Sequence, residues 1–182
     1  MSTSATGGYL DETETAFNVD RFFHDLIMGL TAIDKTLIRP RWQPNQPIIP
    51  SSGTNWCGFG ITILESDDSA YVKENDLGTL ASLIRHEKYS LFCSFYGTLA
   101  SENIRKMRDG LQIGQNREVL FLNNFGYVSC TPSTHAPELI NDIWHDRYDI
   151  EFQFAREVHK DYNVLSILQA NVGSEIDIVS NS

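Results

Sequence analysis

The stretch Ile150-Glu-Phe-Gln-Phe-Ala-Arg-Glu-Val158 alternates with period two, setting Ile150, Phe152, Phe154 and Val158 against Glu151, Gln153 and Glu157. Successive strand residues point to opposite sides, so one face of this segment is buried and the other wet. That is the signature of a strand in an antiparallel sheet. The alternation reaches back to about Trp144.

Other segments repeat the pattern. Leu83 to Tyr96 reads as a strand, clearest where Tyr89, Leu91, Cys93 and Phe95 alternate with Ser90 and Ser94. Trp56 to Leu64 (WCGFGITIL) places Cys57, Phe59, Ile61 and Ile63 on one face, and Gly58 and Gly60 on the other permit a close approach. Residues 65–70 form an acidic turn, Tyr127–Thr131 a short strand, and Asn163–Ala170 a final one.

Two segments switch to helical spacing. From Thr15 to about Ile33, Val19, Phe22, Phe23, Leu26, Ile27 and Leu30 recur every three or four residues, with Asn18 or Thr15 as the cap. A second helix starts at Thr98 or Ser101 and carries Ile104, Met107, Leu111 and Leu122 on one side, although Gly110 and Gly114 weaken its middle. Asn123, Asn124 and Gly126 supply its left-handed stop. Between helix and sheet, residues 40–53 (PRWQPNQPIIPSSG) are too rich in proline for helix or central strand. They read as an extended arm whose Arg39, Arg41, Trp42, Ile48 and Ile49 lie against something.

The order helix, two strands, helix, three strands predicts an α+β domain. We expect a mostly antiparallel sheet of four to five strands flanked by two main helices. It spans residues 15–172 and includes the Pro-rich arm 39–53. Residues 1–14 (polar and acidic, unlike a signal peptide) are expected as a flexible tail, and residues 173–182 as a frayed one. The 182 residues suffice for a substantial core.

The formal net charge of -10 argues against sequence-specific nucleic-acid binding, which needs Lys and Arg to displace counterions. Cys57, Cys93 and Cys130 are odd in number and widely spaced, as free thiols in a reducing compartment would be. No apolar run is long enough to span a bilayer.

Catalytic patterns are missing. There is no nucleophile elbow, no phosphate-binding glycine loop, no zinc-binding His spacing and no implied cofactor. His86, His135, His145 and His159 are scattered, and His86 cannot share a strand face with both Arg85 and Glu87. Cys93 falls in the apolar register of its strand, where a thiol is inert. Asp67 and Asp68 read as solvated turn residues. The densest polar segment is Arg105 to Glu118, where Arg108, Gln115, Asn116 and Arg117 either solvate a helix or contact a partner.

Several phrases together resemble the phage neck terminator family, relatives of the tail terminators of long-tailed phages. They are Ile38-Arg-Pro-Arg-Trp42, Asn55-Trp-Cys-Gly-Phe-Gly-Ile61, Arg85-His-Glu87, Phe92-Cys-Ser-Phe-Tyr-Gly97, Arg108 to Glu118 (RDGLQIGQNRE) and Trp144-His-Asp-Arg147. The resemblance covers residues 19–170.

It implies a tail-terminator-like α+β fold and a non-enzymatic virion protein, assembled in the host cytoplasm into a homo-oligomeric ring, typically a hexamer. Such a ring ends tail-tube growth and joins the tail to the neck or connector. Its implied partners are copies of itself, the tail tube protein, neck or connector proteins and, in contractile tails, the sheath. Genome DNA passes through its channel without specific binding. On this reading Arg39, Arg41, Trp42, Trp56, Arg108, Gln115, Asn116, Arg117, Trp144 and Arg147 form the subunit or partner interface, with no catalytic or metal residue. The rival readings are a small-ligand or hydrolytic enzyme using His86, Cys93 or His135, and a nucleic-acid module with a continuous basic face.

Overall fold

Asn18 opens the first helix: its side-chain oxygen accepts a hydrogen bond from the Arg21 backbone N–H at 2.8 Å, satisfying a donor the helix itself cannot. The computed structural model describes residues 17–45, 47–76 and 79–164. The expected tails and nearly all of the strand expected over 163–170 lie outside these residues. Helix α1 (Val19–Thr31) turns Phe23, Leu26 and Ile27 inward and ends at Ala32, which adopts a left-handed φ of 58°. Asp34 then caps a short 3-10 turn, Lys35–Leu37, that leads into β1 (Ile38–Pro40).

β1 pairs in parallel with β2 (Trp56–Ser66), Ile38 facing Cys57 and Pro40 facing Phe59. A parallel pair cannot be closed by a tight turn and needs a crossover of roughly a dozen residues or more. Here residues 41–55, which hold most of the Pro-rich arm, provide it, and their described residues form no helix. β3 (Tyr71–Glu74) and β4 (Leu80–Tyr96) follow. Next come helices α2 (Ala100–Gly110) and α3 (Gly114–Phe121), then β5 (Phe125–Cys130) and β6 (Thr134–His135). The chain closes with a hairpin of β7 (Glu138–Ile140) and β8 (Ile143–His145) and the long β9 (Arg147–Asn163). The sheet order is β1-β2-β4-β9-β5, antiparallel apart from β1, with β6 on β9 and β3 on β4. The fold is α+β with a mostly antiparallel sheet.

The described chain divides into two compact units. The smaller, within residues 71–84 and 159–164, pairs β3 with Ala81–Ile84. Asn75 secures its turn by accepting from the Thr79 and Leu80 backbone N–H groups. The larger, within residues 17–70 and 85–158, holds the aromatic core. There Cys57 and Phe59 of β2, Leu91, Cys93 and Phe95 of β4, and Ile150, Phe152 and Phe154 of β9 meet α1 and the α2 residues Ile104 and Met107, all buried. Phe23 packs on Phe154 at 5.0 Å and on Phe125 at 5.4 Å between ring centres.

Two expected elements are interrupted. The second helix stops at Gly110 and restarts at Gly114, so Leu111 remains in the core while Leu122 is 80% exposed. Asn116 Nδ2 donates to the Gly110 carbonyl at 2.9 Å and Arg117 Nε to the Leu111 carbonyl at 3.0 Å, which satisfies acceptors the break would orphan. The strand expected from Trp144 onward breaks at Asp146, whose carbonyl accepts from Gly97 N–H at 3.1 Å. Gly97 holds a φ of 94° against the Thr54 carbonyl, a place no side chain fits.

Candidate functional site

Alternation sends Trp56, Gly58 and Gly60 of β2, Phe92, Ser94 and Tyr96 of β4, and Arg147, Asp149 and Glu151 of β9 to the face opposite the helices. Across the β2–β4 ladder, Trp56 pairs with Tyr96, Gly58 with Ser94 and Gly60 with Phe92. The Trp56 and Tyr96 rings stack 3.9 Å apart and nearly coplanar. The start of the arm lies on this face. The Arg41 backbone N–H donates to the Phe59 carbonyl at 2.7 Å, and its guanidinium sits 4.7 Å from the Phe92 ring centre. Trp42 follows with a left-handed φ of 59° and lays its ring over Gly60, where a Cβ would stand 2.6 Å from it. The glycines expected to permit a close approach do so, and what approaches is the chain's own arm.

A polar network ties the arm to the hairpin. Arg41 donates to Ser94 Oγ, and Ser94 Oγ donates to Asp149. Arg147 bridges Asp149 at 2.8 Å and Glu138 at 2.9 Å, and the Tyr96 hydroxyl donates to Glu138 at 2.8 Å. Burial together with the Glu138 carboxylate pushes the Tyr96 hydroxyl up to about 12. Burial opposes ionisation of Glu138, yet Tyr96 and Arg147 hold it below the usual carboxylate range. Burial likewise opposes the Arg147 charge, and Asp149 and Glu138 outweigh it. Glu138 and Arg147 therefore stay charged at neutral pH, and the network they belong to locks arm, sheet and hairpin together.

Arm and sheet enclose an open cleft of about 560 Å³ whose lining includes Arg39, Arg41, Trp42, Trp56 and Arg147. Half of the residues expected at an interface thus converge here. Arg39 lies 6.0 Å from the Trp56 ring centre and donates to the Ile48 and Thr36 carbonyls. Trp42 is 76% exposed, whereas Trp56 is only 9% exposed. Among the described residues the lining holds no Cys, His or Ser, so the cleft offers cations and aromatic faces rather than a nucleophile with its base. Glu138 and Asp149 carry no signal of a site in the sequence, and Ser94 and Tyr96 stand out there only as positions of their strand. Nothing in strand alternation says which polar residues will pair.

The other expected residues lie elsewhere. Arg108 is exposed beside Asp109, and Gln115 is exposed on α3. Asn116 and Arg117 carry the helix-break contacts described above, and Arg117 also sits 5.6 Å from the Tyr127 ring centre. Trp144 stands on the hairpin, 66% exposed.

The residues weighed for catalysis do not gather. Cys93 is fully buried beside Cys57, whose thiol is pushed well up by burial. His86 bridges Asp67 at 3.0 Å and Glu157 at 3.4 Å. Asp67, expected as a solvated turn residue, is thus a partner: it also accepts from the His86 backbone N–H at 2.9 Å. His135 bonds Asp146 at 2.6 Å and stacks on Tyr148. Glu157 and Tyr148 are roughly 30 Å apart along β9 at the strand rise per residue. Among the described residues no group of three His, Cys, Asp or Glu is placed to hold a metal ion, and no helix is long and apolar enough to cross a membrane.

No curated protein matches the chain. A family model does, that of the phage neck terminator protein, over residues 18–178. The match takes in α1, the arm, the cleft, the hairpin and both units, and the resemblance carried by the arm, the glycine strand and the Arg108–Glu118 segment is thereby placed: this chain belongs to the phage neck terminator family, and is a structural protein of the phage neck.

Proposed function

We propose that this chain assembles as a homo-oligomeric ring, a hexamer, at the top of the phage tail, where it ends tail-tube growth and joins the tail to the neck or connector. The family match over residues 18–178 carries the reading. The cleft supports it, because an exposed arm and hairpin held by a charged network form a rigid surface suited to a protein partner. In this reading Trp42, Arg108, Gln115, Arg117 and Trp144 meet neighbouring subunits or the tail tube. Arg39, Arg41, Trp56, Asn116 and Arg147 fix the elements that present them. The net charge of -10 favours a channel along which DNA slides without sticking.

The test is a phage lacking this chain, examined by negative-stain electron microscopy. Tubes longer than those of the parent phage and heads unjoined to tails are the expected outcome, with purified chain restoring joining in vitro. Normal tube lengths together with normally joined heads would overturn the proposal.

A further inference from the structure

The cleft between arm and sheet holds more positive charge and more donors than its own residues satisfy. Its charged lining residues are Arg39, Arg41, Arg147 and Glu138. Arg147 takes both carboxylates of the network, Glu138 and Asp149. Arg41 donates to the Ser94 hydroxyl, and Arg39 to the Thr36 and Ile48 carbonyls. Among the described residues neither of these two guanidiniums pairs with a carboxylate, so one positive charge of the cleft is left unbalanced. Two further donors of the lining, Trp56 Nε1 and Arg147 Nε, are shielded from solvent and have no acceptor among the described residues. Buried donors are almost always paired, so these two call for an acceptor brought from outside.

Much of the remaining lining is apolar: Trp42, whose ring is 76% exposed, with Pro44, Ile49 and Ile140. The ligand that fits is an extended segment carrying a carboxylate beside an apolar side chain. One unbalanced charge matches one carboxylate. A nucleic-acid strand would instead bring a row of phosphates against a chain of net charge -10.

This chain contains such a segment. Tyr9-Leu-Asp-Glu-Thr-Glu14 sets Asp11, Glu12 and Glu14 behind two apolar residues, and no Lys or Arg precedes Arg21. Its own cleft is out of reach. Phe17, where the described chain begins, lies 4.1 Å from the Arg156 guanidinium, and Arg156 shares the helix-covered side of β9 with Phe154. Arg147 is nine residues away along the same strand, roughly 30 Å, and on the opposite face. Asp11 is six residues from Phe17, about 20 Å of fully extended chain.

We infer that the cleft receives the acidic run Asp11–Glu14 of a neighbouring copy, its carboxylates against Arg39 and Arg41 and its Tyr9 and Leu10 against the Trp42 ring. Charge-assisted hydrogen bonds and aromatic packing favour this occupant. The contact is heterologous, so its repetition propagates head to tail and closes as a ring when the rotation allows. The inference rests on the ring reading above and names what fills the cleft.

Native mass spectrometry of the full chain over a concentration series, alone and with purified tail tubes, tests it. A triple variant, Asp11→Asn with Glu12→Gln and Glu14→Gln, neutralises the run and changes no described residue. Arg39→Gln removes a cation from the cleft, and thermal melting checks that it folds. Each should raise the concentration for half-assembly at least about tenfold, as loss of a hydrogen bond to a charged group does. An equimolar mixture of the two should stop at a heterodimer, because one acidic run and one intact cleft remain. The triple variant assembling like the parent chain overturns this occupant and leaves the ring reading standing. If Arg39→Gln alone is then impaired, a different acidic segment fills the cleft. A folded Arg39→Gln that assembles like the parent, or a mixture without heterodimer, also overturns the contact. A parent chain that stays monomeric in both settings removes both readings.

Discussion

Phe59, Phe95, Phe152 and Phe154 on one side of the central strands, and Gly58, Ser94, Asp149 and Arg147 on the other, come from the same alternating segments and are covered in different ways. Helices cover the first side, burying hydrocarbon whose attraction is non-directional. The arm covers the second, through Arg41 and Trp42 and a chain of charged hydrogen bonds that needs each partner in place. An apolar face is held by the volume it buries, whatever the direction of the individual contacts. A polar one is specified residue by residue, which suits a surface that must present Trp42 and the hairpin in one geometry. The difference predicts graded responses to substitution.

Phe152→Ala should have the largest effect, a loss of about 3–5 kcal/mol, since its fully buried ring leaves a cavity between sheet and helices. Urea unfolding monitored by circular dichroism measures it. A loss below about 1 kcal/mol would mean that the helix-covered side collapses readily, and the contrast between the faces would fail. Arg147→Ala tests the other side. It strips Glu138 and Asp149 of their shared cation and should cost about 1.5–3 kcal/mol in the same assay. Arg147→Lys should recover only part, because one ammonium cannot span both carboxylates as the guanidinium fork does.

The apolar side was legible in the sequence because period two and period 3.6 are set by backbone geometry alone. Ile150, Phe152 and Phe154 announced their strand, and Val19 to Leu30 announced α1 with its cap at Asn18. Leu122 fits the helical stripe begun by Ile104 and Met107, but the break after Gly110 rotates it outward. The stripe could not register this, since the capping contacts of Asn116 and Arg117 are made only in three dimensions. The parallel pairing of β1 was hidden in a proline-rich arm whose length, rather than its composition, permits the crossover. At the candidate site the arm residues were visible as large side chains in a proline-rich setting. The partners that position them, Ser94 and Asp149, are ordinary polar residues of strands distant in sequence.

Gly60→Val separates arm placement from fold stability. A valine suits a strand, so unfolding free energy should change by less than about 1 kcal/mol. Its Cβ, however, would stand 2.6 Å from the Trp42 ring and lift the arm from the sheet. Faster proteolysis within residues 41–55 and a shift in tryptophan emission are the expected readouts. An arm as protected as in the parent chain would show that Arg41, rather than the fit of Trp42 over glycine, holds it down.

The smallest effect belongs to His86, on the polar side, where Glu157 of β9 and Asp67 just beyond β2 bracket an exposed imidazole. The hydrogen bond to Asp67, with Glu157 in support, raises the His86 pKa above its ordinary 6.5. A pKa raised by folding means that the charged form is favoured in the native state. The pairing therefore stabilises fully below the unfolded value and is lost as pH rises through the raised one. Asp67 behaves oppositely: the His86 backbone and ring hold it below 3.8, so its contribution stands above that value and disappears as pH falls through the lowered one. Stability should therefore show a shallow decline from about pH 6.5 upward that His86→Gln abolishes, read from melting temperatures across a pH series at low salt. The same series in high salt should flatten the decline, because both partners are solvent-exposed and screened. A slope that survives His86→Gln would assign the titration to another group and leave this end of the polar face held by its backbone ladder alone.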